Sequence, residues 1–230
     1  MRMVLLFLCL AASLVTANVE KAIFLGPPSI NVPLQQPTLS SLNLDTLTPE
    51  SSTIRTRLPR SFQTGDSPGQ TSWLILDGLT EGQRYELRVC WSAMEPTAFD
   101  IETFDVEHVF ETPELIQSLS DFAYARVGTA ADPVDVTTNE TEKTSSVLFV
   151  RIITAADYYS DYTELMENPP PVLVDLILDP FLFNVLPRSL LPTGGYIICV
   201  AIVAWFVASY ITSQVKSFAE CSSTMEKKKQ

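Results

Sequence analysis

Trp73-Leu-Ile-Leu76-Asp-Gly-Leu79-Thr-Glu-Gly82-Gln-Arg-Tyr85-Glu-Leu87-Arg-Val89-Cys-Trp91 carries the clearest structural pattern in this 230-residue chain. Four apolar residues, Trp73 to Leu76, run into a turn rich in glycine and acid. Beyond the turn, Tyr85, Leu87, Val89 and Trp91 alternate with Glu86, Arg88 and Cys90. Successive side chains on a strand point to opposite faces, so a period of two marks a strand with one packed face. The passage reads as two strands joined by a short corner.

Leu79 stands six residues before Tyr85, with Gly82 between them. This spacing resembles the E-to-F corner of fibronectin type III and related immunoglobulin-like sandwiches. The resemblance implies that the Tyr85 hydroxyl bonds back to corner backbone and fixes a crossing between two sheets. Outward from the corner, Val19–Leu25 predicts a first strand, ended by Gly26-Pro27-Pro28. Residues 27–70 are rich in Pro, Ser, Thr and Gln and predict a loop-like insert, with only Thr53–Leu58 hinting at a strand. After Trp91, residues up to Val106 could supply a further strand. Pro113–Arg126 predicts a helix: Leu115, Leu119, Phe122 and Arg126 follow at spacings of four, three and four, with Thr112 able to cap. Residues 147–153 and 172–178 return to apolar strand patterns. The fold class that follows is mainly β: a decorated immunoglobulin/fibronectin III-like β-sandwich with one short helix, plus a single transmembrane helix.

The two ends suggest a membrane topology. Arg2, an apolar stretch over residues 4–15 and the small-residue pattern Val15-Thr16-Ala17 read as a signal peptide, residues 1–17. Its apolar core of about a dozen residues is too short to cross a hydrocarbon layer of ~30 Å. Residues 194–213 carry no charge, hold Tyr196 and Tyr210 near the two expected interfaces, and are long enough to span. All but two of the 27 acidic residues precede this run, whereas Lys216 and Lys227 to Lys229 follow it. The positive-inside tendency then places residues 18–193 in the lumen of the endoplasmic reticulum (ER) and 214–230 in the cytosol, as in a single-pass type I protein. Lys227 and Lys228, four and three places from the carboxyl end, match the dilysine spacing and resemble the retrieval signal of ER membrane proteins. That resemblance implies a sorting signal read by the COPI coat.

Between these ends the expected domain is residues 18–168, followed by an apolar juxtamembrane segment, residues 169–193. The formal charge of −12 excludes nucleic acid as a partner, because phosphate is repelled. With Cys9 in the signal, Cys199 in the span and Cys221 in the tail, Cys90 stands alone in the domain, so no disulfide forms within it. Cys90 reads as a small buried hydrophobe or as a thiol that pairs with a partner. Asn139-Glu-Thr is the sole glycosylation sequon and falls in a polar stretch, residues 128–146. His108 is the single histidine and lacks a ligand or base at a recognised spacing. Asp100/Glu102, Asp105/Glu107 and Asp157/Asp161 read as a solvated acidic face, since no glycine-punctuated calcium loop accompanies them. No zinc, hydrolase, dinucleotide or phosphate-loop motif is present, so neither cofactor nor catalysis is expected. An enzyme reading would need the carboxylates between Asp100 and Glu111 to converge on one cleft.

Residues 169–193 are apolar, yet Asp175, Asp179, Pro180 and Pro187 argue against a second span. Two readings stand: a final strand leading to a membrane-lying segment against the lipid bilayer, or a docking surface for a multi-span ER membrane protein. Leu176, Phe181, Phe183 and Leu186 are the candidate partner-binding residues of the second reading. In general plan the chain is similar to accessory subunits of glycosylphosphatidylinositol (GPI) mannosylation, and to lumenal subunits of glycosylation or insertase complexes. The function expected is thus a non-catalytic accessory or stabilising subunit of an ER membrane complex. The alternative is a cargo receptor or lumenal chaperone cycling between ER and Golgi.

Overall fold

A computed structural model describes residues 18–33, 39–65, 67–126 and 142–227. The signal peptide, Asn139 and Lys228 lie outside the described residues. The chain divides into two compact units, Met1–Val185 and Leu186–Gln230.

In the first unit the elements run β1 (Val19–Leu25), β2 (Ile30–Pro33), a 3-10 turn (Leu39–Leu42), β3 (Asp45–Leu47), β4 (Thr53–Leu58) and β5 (Ser61–Phe62). They continue with β6 (Gln70–Leu76), β7 (Arg84–Trp91), β8 (Thr97–Asp105), α1 (Val106–Glu111), α2 (Pro113–Arg126), β9 (Glu142–Ser145), β10 (Leu148–Ala156), α3 (Thr163–Glu167) and β11 (Val172–Leu182). One sheet has the order β1-β7-β11-β4, with antiparallel neighbours throughout. The other has the order β3-β6-β10-β8, and β5 continues beside the far end of β10. A small antiparallel pair joins β2 to β9.

The alternation in β7 is what puts the sheets face to face. Tyr85, Leu87 and Val89 are buried with Val172, Val174, Leu176 and Leu178 of β11 against Leu74, Leu76, Leu148, Val150 and Ile152. Each large side chain so buried contributes ~1.5–3 kcal/mol relative to exposure. The run Trp73 to Leu76 does not alternate because β6 is covered on both sides. Leu74 and Leu76 enter the inter-sheet core, whereas Trp73 and Ile75 join Phe149 under Val109, Leu115 and Leu119 of the two helices. The unit is therefore a β-sandwich with a helical third layer on one sheet. The α2 face predicted by spacing is the buried one, and its last member, Arg126, pairs with Asp45 at 3.0 Å. The Thr112 carbonyl accepts from the N–H groups of Leu115 and Ile116, both at 3.1 Å, and so starts the helix.

Several expectations change. Residues 27–70 are not a plain insert: β2, β3, β4 and β5 lie within them and extend both sheets and the small pair. Strands of two to four residues draw their hydrogen bonds from distant neighbours and are too short to show a period. The helices α1 and α3 add to the single one expected, and β9 occupies part of the polar stretch 128–146. The domain boundary also moves. Residues 172–182 form an eleven-residue strand, and the compact unit runs through Val185 instead of ending at 168. Valine and leucine of β11 fill the core while Asp175 and Asp179 lie on its other face, which reconciles its apolar composition with its two acids.

The second unit contains the extended pair Leu186–Pro187 (β12), a 3-10 turn at Arg188–Leu190 and the helix α4, Leu191–Lys227. Arg188–Lys216 is long and apolar enough to cross a membrane and encloses the span read from sequence. Helix α4 continues through most of the tail, as far as Lys227.

Candidate functional site

The corner between β6 and β7 forms as its spacing predicts. Tyr85 is buried, stacks against Phe24, and accepts the Thr80 N–H on its hydroxyl at 2.9 Å while donating to Gln83 Oε1 at 3.3 Å. Leu79 is buried beneath the turn, and Gly82 takes φ +71°, a value favouring glycine. Because β6 and β7 belong to different sheets, this corner ties the two layers together. Two groups that the spacing did not reveal complete it. Gly26 exchanges backbone hydrogen bonds with Gln83 and Gly82 at 2.8 and 2.9 Å. From the end of β11, Asn184 Nδ2 donates to the Gly82 carbonyl and Asn184 Oδ1 accepts the Arg84 N–H, each at 2.9 Å.

The outer face of the first sheet carries charge. Glu86 and Asp179 are only 5% exposed, and Arg88 lies between them at 3.4 and 3.3 Å, with Lys21 at 3.4 Å from Glu86. Carboxylates so enclosed persist only when paired, so Arg88 couples β7 to β11 electrostatically. Nearby, Arg55 grips Asp175 with two nitrogens at 2.7 and 2.8 Å and holds its carboxyl below the ordinary carboxylate range. Cys90 sits half-buried beside this pair. Burial pushes its thiol up from the ordinary value, and Asp175 and Glu86 push the same way against Arg88. Such a thiol is a poor nucleophile.

On the helical side, Glu102 is engaged by Arg151 through Nε at 2.8 Å and through a second guanidinium nitrogen. His108 stacks on Phe104. Among the described residues no group of three or more metal-ligating side chains comes together.

The four residues proposed for partner contact separate. Leu176 is 1% exposed in the core, and Phe181 is also buried, so both are spent inside the sandwich. Phe183 is 98% exposed in the turn after β11, and Leu186, in the second unit, is exposed. Their chain spacing could not distinguish these cases, because Phe181 and Phe183 share a strand face in sequence until the left-handed backbone at Phe183 breaks the alternation. Among the described residues, α4 carries an extended apolar surface.

No solved structure matches this chain. A GPI mannosyltransferase 2 subunit of Schizosaccharomyces pombe is 37% identical over 49 residues, 21% of this chain and 28% of the relative, so the match spans little more than a quarter of that protein's length. Residues 8–210 match a family described as Pga1, GPI-mannosyltransferase II co-activator, a match that takes in both the sandwich and most of the apolar helix. The chain belongs to the Pga1 family of GPI-mannosyltransferase II co-activators.

Proposed function

We propose that this chain is a non-catalytic subunit of the ER membrane that binds and stabilises the multi-span mannosyltransferase of GPI synthesis. The observation that carries this reading is the extent of the family match, residues 8–210, which embraces the β domain and the apolar helix together. Co-activation then uses both parts: α4 packs beside the catalytic subunit within the bilayer, and the sandwich supports it from the lumen. The similarity to a mannosyltransferase subunit of fission yeast supports the same assignment. In this reading the protein is single-pass type I, residues 1–17 are a cleaved signal, and Asn139 carries a glycan. Lys227 and Lys228 return the protein from the Golgi through the COPI coat.

The test is purification from membranes in a mild detergent, with a tag placed after Ala17, combined with an assay of mannosyl transfer to a GPI intermediate in membranes lacking the chain. Stoichiometric recovery of a multi-span mannosyltransferase, and restored transfer on adding the chain back, are the expected results. A monodisperse lone protein, or a spread of substoichiometric secretory cargo, overturns the reading. Glu102→Gln is expected to restore transfer as well as the wild type does; its failure with folding and partner binding intact would reinstate an enzyme.

A further inference from the structure

The turn that follows β11 holds apolar side chains outside the fold. Phe183 and Asn184 both take left-handed backbone, φ +51° and +58°, a conformation rare for bulky residues such as phenylalanine. The turn is nonetheless fastened. Asn184 makes its two side-chain bonds to Gly82 and Arg84, and the Val185 N–H donates to the Leu182 carbonyl at 3.1 Å. The outcome is a Phe183 ring that is 98% exposed and a Val185 that is 78% exposed on a rigid support. Leu25, exposed as well, pairs in register with Arg84 at the same end of the sandwich. Left-handed backbone at both central residues is the geometry a two-residue hairpin turn requires, and it favours Asn or Gly, so a phenylalanine ring presented to water at this place has no packing rationale within the fold.

Chain continuity identifies what that ring can reach. The segment able to cross a membrane begins at Arg188, five residues after Phe183. Even fully extended, five residues reach only about 17 Å, and the polar zone on each side of the hydrocarbon is itself several ångströms deep. We propose that Phe183, with Val185, is a membrane-interface anchor whose ring enters the boundary between lipid headgroups and acyl chains. Aromatic rings favour that zone, and Arg84, whose guanidinium lies 5.9 Å from the buried Phe181 ring, adds a cation at the same end for lipid phosphate. The inference requires α4 to span a bilayer but not the co-activator reading, and lipid alone suffices as the partner.

The test uses the full chain in phosphatidylcholine vesicles containing anionic lipid, with the native cysteines replaced by serine and a nitroxide placed at Phe183→Cys, Val185→Cys or Met94→Cys. Met94 is highly exposed, in the loop at the opposite end of β7. Expected is a several-fold higher ratio of oxygen to nickel-chelate accessibility at 183 and 185 than at 94. Labels at 183 and 185 that stay as open to nickel as the one at 94 overturn the anchor. Shielding from both reagents only when the mannosyltransferase is co-reconstituted overturns it too, in favour of a protein contact. Circular dichroism of each labelled chain verifies the fold, and the 185 label serves if Phe183→Cys does not fold.

Discussion

Tyr85 shows how one hydroxyl can join two sheets. Tyr85→Phe keeps the ring in the core but leaves the Thr80 N–H without its acceptor, a loss of about 1–2 kcal/mol, measurable as a lower urea midpoint of the domain. Gly26→Ala is expected to cost more, because a Cβ there falls 2.2 Å from the Thr80 carbonyl oxygen, and that backbone is already pinned by the corner. Asp175 supplies a pH signature. Arg55 lowers its folded pKa, so the pair contributes stability above the unfolded value of about 3.9 and loses it as pH falls through the folded value. Wild type should therefore lose stability more steeply below about pH 4 than Asp175→Asn. The difference should shrink in high salt, since the pair is open to solvent; equal slopes in acid titrations of the two proteins would refute it. At this scale the sequence was legible where partners are near neighbours, as with Leu79, Gly82 and Tyr85. It was silent on Gly26 and Asn184, whose partners at the corner lie far along the chain.

Elements with a long period were read well. Strands β1 and β4 and helix α2 have the bounds their patterns predict, because each presents enough residues to show a face. The brief strands β3 and β5 show none, and their existence depends on the edges of β6 and β10. Strand β11 is the instructive case. Its apolar row gave both a strand and a docking surface as readings, and only the pairing with β7 and β4 spends that row inside the domain. Its acidic row is spent as well, since Asp179 needs Arg88 across the strand boundary. Arg88→Leu leaves Glu86 and Asp179 enclosed without this cation and is expected to destabilise the domain by about 3–5 kcal/mol. A surface arginine of the same length, Arg57, should tolerate the same change with little effect on the thermal midpoint.

For the molecule as a whole, the place of β11 fixes where the folded unit can end. It lies between β7 and β4, and its Val172, Val174, Leu176 and Leu178 close the inter-sheet core. Removing it opens that core along its length and strands β4 without a neighbour, a loss of several large side chains at about 1.5–3 kcal/mol each, comparable with the entire stability of a small domain. A fragment of residues 18–185 should melt in a single cooperative transition, whereas one of residues 18–168 should show none and aggregate. Thermal melts followed by circular dichroism distinguish the two, and a cooperative melt from the shorter fragment would show that β11 is peripheral after all. The same reasoning governs any attempt to map partner contacts in this segment. Polar replacement across 172–186 would abolish co-purification by unfolding the sandwich, whether or not a partner touches it, because Leu176 and Phe181 face inward. Only substitutions beyond Leu182, or within the apolar helix, separate loss of an interface from loss of the fold.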